Sequence, residues 1–200
     1  MAWIANRTSI TRYLPTFEVD EKVKRLALDY MSANPDYNYN NKPFPLEVFP
    51  KQMVQTSSHK ALPDVLGSGT LHAGLSQTFK DIVESFEPDL HQFQPVDVIT
   101  KSGTPTEMPY FYFRNLQCLH ECVDYDASIL SDRSKPGRLV LPERVHFKDD
   151  ELAMRREMID GRHFWNIKQH TQTWFFSEEL KAEVERQGLK RLHYVHIREV

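Results

Sequence analysis

Cys118-Leu119-His120-Glu121-Cys122 places two thiols and an imidazole close together, and these are donor types that hold zinc. On a strand Cys118, His120 and Cys122 would share a face, because side chains alternate; on a helix the two cysteines align and His120 points away. A structural zinc site needs a fourth ligand, and no second CxxC or HxxxH pair supplies one. The cysteines therefore read as small buried hydrophobes, and no metal or cofactor is expected. Nine histidines raise a second chemistry, with His163 and His170, or His193 and His196, as bases. Base catalysis of this kind needs a nucleophile beside the base and a third group to orient it, and no GxSxG elbow marks one. His193 and His196 also fall on opposite faces of a regular strand. Gly67-Ser68-Gly69 lacks both that elbow and the GxxxxGK[ST] spacing of a phosphate loop, so it reads as a turn. No catalytic residue is assigned.

Acidic side chains are the remaining candidates. Glu121, Asp124, Asp126 and Asp132 make the middle of the chain acidic, and Asp149-Asp150-Glu151 forms a second cluster. As a glycosidase pair they would need a separation that sequence does not reveal. As an exposed surface they would steer a basic partner by long-range attraction. Glu121, Asp124, Tyr125 and Asp126 form the first candidate contact surface, and Tyr37 with Tyr39 the second. Asp124, Asp126 and Ser128 fit equally well as the fixers of a turn.

The elements that must position these residues are legible in part. Asp20 caps a helix whose stripe is Val23, Leu26, Ala27, Tyr30 and Met31, ended by Asn34-Pro35. Pro35, Pro43, Pro45 and Pro50, set among Asn38, Asn40 and Asn41, exclude long regular structure from the next stretch, whose Tyr37, Tyr39 and Phe44 suit packing on the core or an aromatic contact surface. Ser76 caps a second helix with Phe79, Ile82, Val83 and Phe86 on one face, stopped by Pro88. Phe93 to Thr100 reads as a strand whose Pro95 suggests an edge or a strand start, and Tyr110 to Arg114 as an aromatic strand. Arg138 to Leu141 and His163 to Ile167 are shorter strand candidates. At the end, Trp174-Phe175-Phe176 is a strand, Ser177 caps a helix running to Gln187, Gly188 suits the left-handed position after it, and Leu192, Tyr194 and Ile197 form a closing strand. The expected class is α+β: a mixed or antiparallel sheet carrying two or three amphipathic helices, with a C-terminal β-α-β unit. The organisation expected is an N-terminal helix and Pro/Asn/Tyr-rich segment over residues 1–61, packed on an α+β domain over 62–200 as one compact unit. No internal repeat is visible.

The chain has 200 residues, 40% of them hydrophobic, enough for one sizeable core. With 25 Lys and Arg against 28 Asp and Glu, the net charge of −3 lacks the basic footprint that phosphate backbones demand, so nucleic acid is not an expected partner. Two cysteines suit a reducing compartment, and Met1 to Arg7 shows no apolar leader. No stretch approaches the roughly 18 apolar residues of a membrane span. The chain reads as cytoplasmic.

Several segments together resemble a family of bacterial immunity proteins from polymorphic toxin systems. They are Leu62-Pro63-Asp64-Val65-Leu66, Leu75-Ser76-Gln77-Thr78-Phe79-Lys80-Asp81-Ile82-Val83-Glu84, Gln92-Phe93-Gln94-Pro95-Val96-Asp97-Val98, Tyr112-Phe113-Arg114-Asn115-Leu116, Val123-Asp124-Tyr125-Asp126-Ala127-Ser128, and Phe175-Phe176-Ser177-Glu178-Glu179-Leu180-Lys181 through Gly188-Leu189. Their order and spacing fit over about residues 62–200, and residues 1–60 carry no match. The resemblance implies a non-enzymatic protein that occludes the active cleft of a cognate toxin domain across a standard interface of roughly 1,600 Å². The alternatives are a small histidine-dependent hydrolase or transferase, and a homo-oligomeric signalling or assembly module, for which a homodimer would suffice.

Overall fold

A computed structural model describes residues 1–7, 15–58, 62–67, 73–130, 148–189 and 192–200. The candidate strand at Arg138 to Leu141 lies outside the described residues, as do Asp132, Ser68 and Gly69. The α+β class holds, with helices packed on mixed sheets, and the strands are divided between two sheets. The first has the order β8(Cys118–Leu119), β10(Phe164–Ile167), β11(His170–Ser177), β1(Ala2–Arg7), β12(Leu192–Glu199), β9(Ala153–Met154). The second runs β2(Phe17–Glu18), β3(Gln52–Gln55), β6(Gln92–Ile99), β7(Tyr110–Arg114), β5(Ala73–Ser76), β4(Val65–Gly67).

A one-turn helix, α3(Arg156–Ile159), follows β9, and each sheet contains a strand that feeds directly into a longer helix through a serine. Ser76 ends β5 and accepts the Phe79 N–H with its hydroxyl, starting α2(Gln77–Phe86); Ser177 ends β11 and accepts the Leu180 N–H, starting α4(Glu178–Arg186). In both positions the oxygen satisfies one of the helix's orphan N–H groups. Gly188 takes φ +72 after α4, the left-handed conformation that costs glycine least.

The two sheets repeat one topology. In the second, the β4–β5 hairpin leads through α2 to β6, β7 is inserted antiparallel between β5 and β6, and β3 lies parallel outside β6. In the first, the β10–β11 hairpin leads through α4 to β12, β1 is inserted antiparallel between β11 and β12, and β9 lies parallel outside β12. The expected C-terminal β-α-β unit is therefore present, with the chain's first strand as its middle member. Pro95 is tolerated because β3 joins β6 only from Asp97 onward, leaving that half of β6 with β7 alone beside it.

The helices and one face of each sheet enclose a shared aromatic core. Phe113 of β7 stacks on Phe164 of β10 at 4.9 Å, and Phe164 also meets Trp174 at 5.4 Å and Phe176 at 4.8 Å. On the far side of the second sheet, Phe44, Phe49, Met53, Val98 and Tyr112 form another core. Its partner helix α1(Glu21–Ala33) begins at Asp20 as the sequence predicts, but buries only Ala27. Leu26, assigned to the buried stripe, is 42% exposed, because α1 packs mainly against the 3₁₀ turn Leu46–Val48 at the rim of the molecule.

A buried polar network connects the sheets. Glu87, just past α2, accepts from Gln117 Nε2 at 2.6 Å, from the N–H of His163 at 2.7 Å and that of Phe164 at 3.2 Å, and meets His91 Nε2 at 2.6 Å. His91 Nδ1 accepts the Leu116 N–H, so the ring proton sits on Nε2 and faces Glu87. Burial pushes the Glu87 carboxyl up, but the hydrogen bonds from His91, the His163 backbone and Gln117 outweigh it and hold the group below the usual carboxylate range. The network fixes the stretch from Leu116 to Gln117 that delivers β8 and the loop after it.

Candidate functional site

The short strand β8 ends in the chemistry-bearing loop. It pairs parallel with β10 through Asn166 opposite Cys118 and Ile167 opposite Leu119, and the Lys168 N–H donates to the Leu119 carbonyl at 2.9 Å. The chain then turns sharply, with Glu121 at φ +56. A non-glycine residue in the left-handed region is uncommon outside Asn and Asp and carries a backbone cost. The turn separates His120 from the two cysteines. Cys118 and Cys122 are buried, and burial pushes their thiols up to about 11 and about 12, which disfavours the thiolate a metal would bind. His120 is exposed and faces the other way, its Nε2 lying 3.2 Å from the Tyr39 carbonyl oxygen. Among the described residues no three His, Cys, Asp or Glu side chains converge as a metal cage.

The histidine pairs are likewise apart. In the β10–β11 hairpin His163 sits opposite Ser177, with Nδ1 2.9 Å from its hydroxyl, whereas His170 lies at the far end beside Ile167. Each serves its own local contacts. His196 packs edge-on against Trp3 at 5.0 Å and reaches Asp150 at 2.6 Å, while His193 projects from the opposite face of β12.

The six candidate contact residues divide between surface and scaffold. Asp124 is a turn fixer: its carboxylate accepts the Ala127 N–H at 2.8 Å and its carbonyl accepts from Ser128. Asp126 lies within that turn with its side chain exposed. Tyr125 is half-buried against the core behind the first sheet. Tyr37 is also half-buried, tilted against Phe44 at 6.0 Å. Tyr39 is half-buried and meets His120, while Glu121, the next residue along the chain from His120, stands exposed. The Tyr39 ring is 6.1 Å from the His120 ring, and the Lys168 ammonium lies over it at 4.9 Å from the centroid. Asn41, at φ +53, binds Cys118 from the side: its Oδ1 accepts the Cys118 N–H at 2.6 Å and its Nδ2 donates to the Cys118 carbonyl at 3.2 Å.

Lys168 and Asn41 were not singled out from sequence. Asn41 sits 77 positions from its partner, so no local pattern reveals the contact. The residues here are one aromatic ring, one imidazole, one ammonium and one carboxylate, carried on three loops, two of which contain left-handed residues.

The fold is α+β with two sheets of one repeated topology, and Tyr39, His120 and Lys168 come together at its surface. The profile of the Immunity protein family (Imm11) matches residues 17–199, and the chain belongs to that family. The match begins well before the segments in which the resemblance is readable by eye. No curated protein matches the chain. Membership implies a toxin-neutralising role, with a cognate toxin as partner. Among the described residues no helix is long and apolar enough to cross a membrane.

Proposed function

We propose that this protein neutralises its toxin by covering the toxin's active cleft, using the surface where Tyr39, His120, Glu121 and Lys168 meet. The observation that carries the reading is the loop itself. Glu121 is exposed in a left-handed conformation directly after His120, whose ring meets the half-buried Tyr39 ring over which the Lys168 ammonium lies. Strained, polar, surface-directed loops on a rigid scaffold are where recognition concentrates. Tyrosine supplies a large contact area with little rotamer freedom to lose, which suits a binding anchor. Asp126 extends the acidic character of the same loop, Asp124 and Tyr125 anchor that loop, and Tyr37 anchors the segment bearing Tyr39 on Phe44. No bond needs to be made or broken. The reading places the protein in the cytoplasm, where the toxin would otherwise act.

The test is co-expression with the cognate toxin domain, followed by calorimetry on a catalytically inactive form of that domain. Tyr39→Ala and Glu121→Lys should each weaken the complex by about 2 kcal/mol or more, roughly 30-fold, and abolish protection of cells. Their melting temperatures should stay close to wild type, because both side chains lie outside the cores. Wild-type affinity in both variants would refute this surface. Removal of the toxin's product without a lasting complex would replace occlusion with an enzymatic antidote.

A further inference from the structure

Residues 34–45 have no strand partner, although their backbone lies against the second sheet. Beyond local turns such as Tyr37 N–H to the Asn34 carbonyl and Tyr39 N–H to the Asp36 carbonyl, side chains take the place of a β-ladder. Gln92 accepts the Phe44 N–H at 2.7 Å and donates to the Phe44 carbonyl at 2.9 Å. Asn41 treats Cys118 in the same two-way fashion. Arg114 donates one guanidinium nitrogen to the Tyr37 carbonyl and another to the Asn38 carbonyl at 3.4 Å, and lies over the Phe44 ring at 4.5 Å from its centroid. Gln92 and Arg114 face each other in register on β6 and β7, so one rung of the sheet grips both ends of the segment.

Arg114 is the unusual member. It is only 9% exposed, its Nε is buried without a hydrogen-bond partner, and among the described residues no carboxylate pairs with it. A buried cation without a counter-charge is costly, and an apolar side chain of similar volume often packs there at no loss of stability. What an apolar side chain lacks is the planar fork that reaches two successive carbonyls at once.

We infer that Arg114 is the positioning residue of the docking surface, fixing the Tyr37 and Asn38 carbonyls so that Tyr39 and Asn41 are presented in their binding conformation before the toxin arrives. This rests on the surface proposed above and adds a rule for how it is held. Pre-organisation of this kind raises affinity by removing an ordering cost at association.

Arg114→Met separates positioning from bulk stability. Hydrogen exchange on the free variant should show lost amide protection within residues 37–44, with protection elsewhere and the melting temperature near wild type, and its affinity for the inactivated toxin domain should fall at least tenfold. Arg114→Lys, which keeps the charge without the fork, should recover only part of that loss. Should Arg114→Met fail to fold, Asn41→Gly removes the Cys118 clamp while keeping the left-handed backbone, and the same exchange and affinity losses are expected. Unchanged affinity in the folded variant, together with a weakened Tyr39→Ala complex, overturns the inference and leaves the surface intact. Unchanged affinity in both overturns the surface as well.

Discussion

A chain that starts at Phe17, where the family match begins, should show no cooperative unfolding transition. The deletion removes β1, which pairs at four positions with β11 and at six with β12 and lies between them in the sheet. Ala2 and Ile4 are each 1% exposed and belong to the core behind the first sheet. Without them Phe175, Val195 and Ile197 lose their central neighbours, and two strands acquire open edges in the middle of a sheet. The expected loss is the whole stability of the domain, about 5–15 kcal/mol. Circular dichroism during heating, with gel filtration of the same sample, decides the matter. A sigmoidal melt within a few degrees of the full chain would contradict the central role given to β1.

The second large effect is expected at Glu87. Glu87→Ala leaves His91 Nε2, Gln117 Nε2 and the N–H groups of His163 and Phe164 without their acceptor in the buried interior. Removing one partner from such a buried charged network costs about 3–5 kcal/mol, which for a domain of this size lowers the melting temperature by about 6–20 °C. The pH dependence follows from the direction of the shift. Because the folded-state pKa of Glu87 lies below its unfolded value, its contribution is complete above the unfolded pKa and disappears as pH falls through the folded one. The melting-temperature gap between wild type and Glu87→Gln should therefore shrink on acidification. A gap of constant size from about pH 7 to about pH 3 would show that the ionised carboxylate is not what holds the network.

The helix starts were readable because their chemistry is local. Asp20, Ser76 and Ser177 each bind N–H groups two or three residues ahead, and the sequence carries both donor and acceptor within one turn. The aromatic strand at Tyr110–Arg114 and the hairpin partner Phe164–Ile167 were readable for a related reason, since β-rich residues cluster there. Ala2–Arg7 was missed as a strand. Its inner residues Ala2, Ile4 and Ala5 are buried, so it shows no polar alternation, and Ala, Asn and Arg carry little β preference. The candidate site was half legible. Its residue types were visible in Tyr39 and in His120-Glu121, and the turn reading of Asp124 with Ser128 matches their hydrogen bonds. Lys168, Asn41 and Arg114 were not, because each acts on a residue dozens of positions away or more.

The repeated topology also bears on how the chain is wired. In the second sheet β6 continues into β7 as a hairpin, but the equivalent neighbours in the first, β12 and β1, come from opposite termini, with the Met1 ammonium 3.2 Å from a Glu199 oxygen. A short linker from Val200 back to Met1 would supply the missing hairpin and make the two halves alike in connectivity.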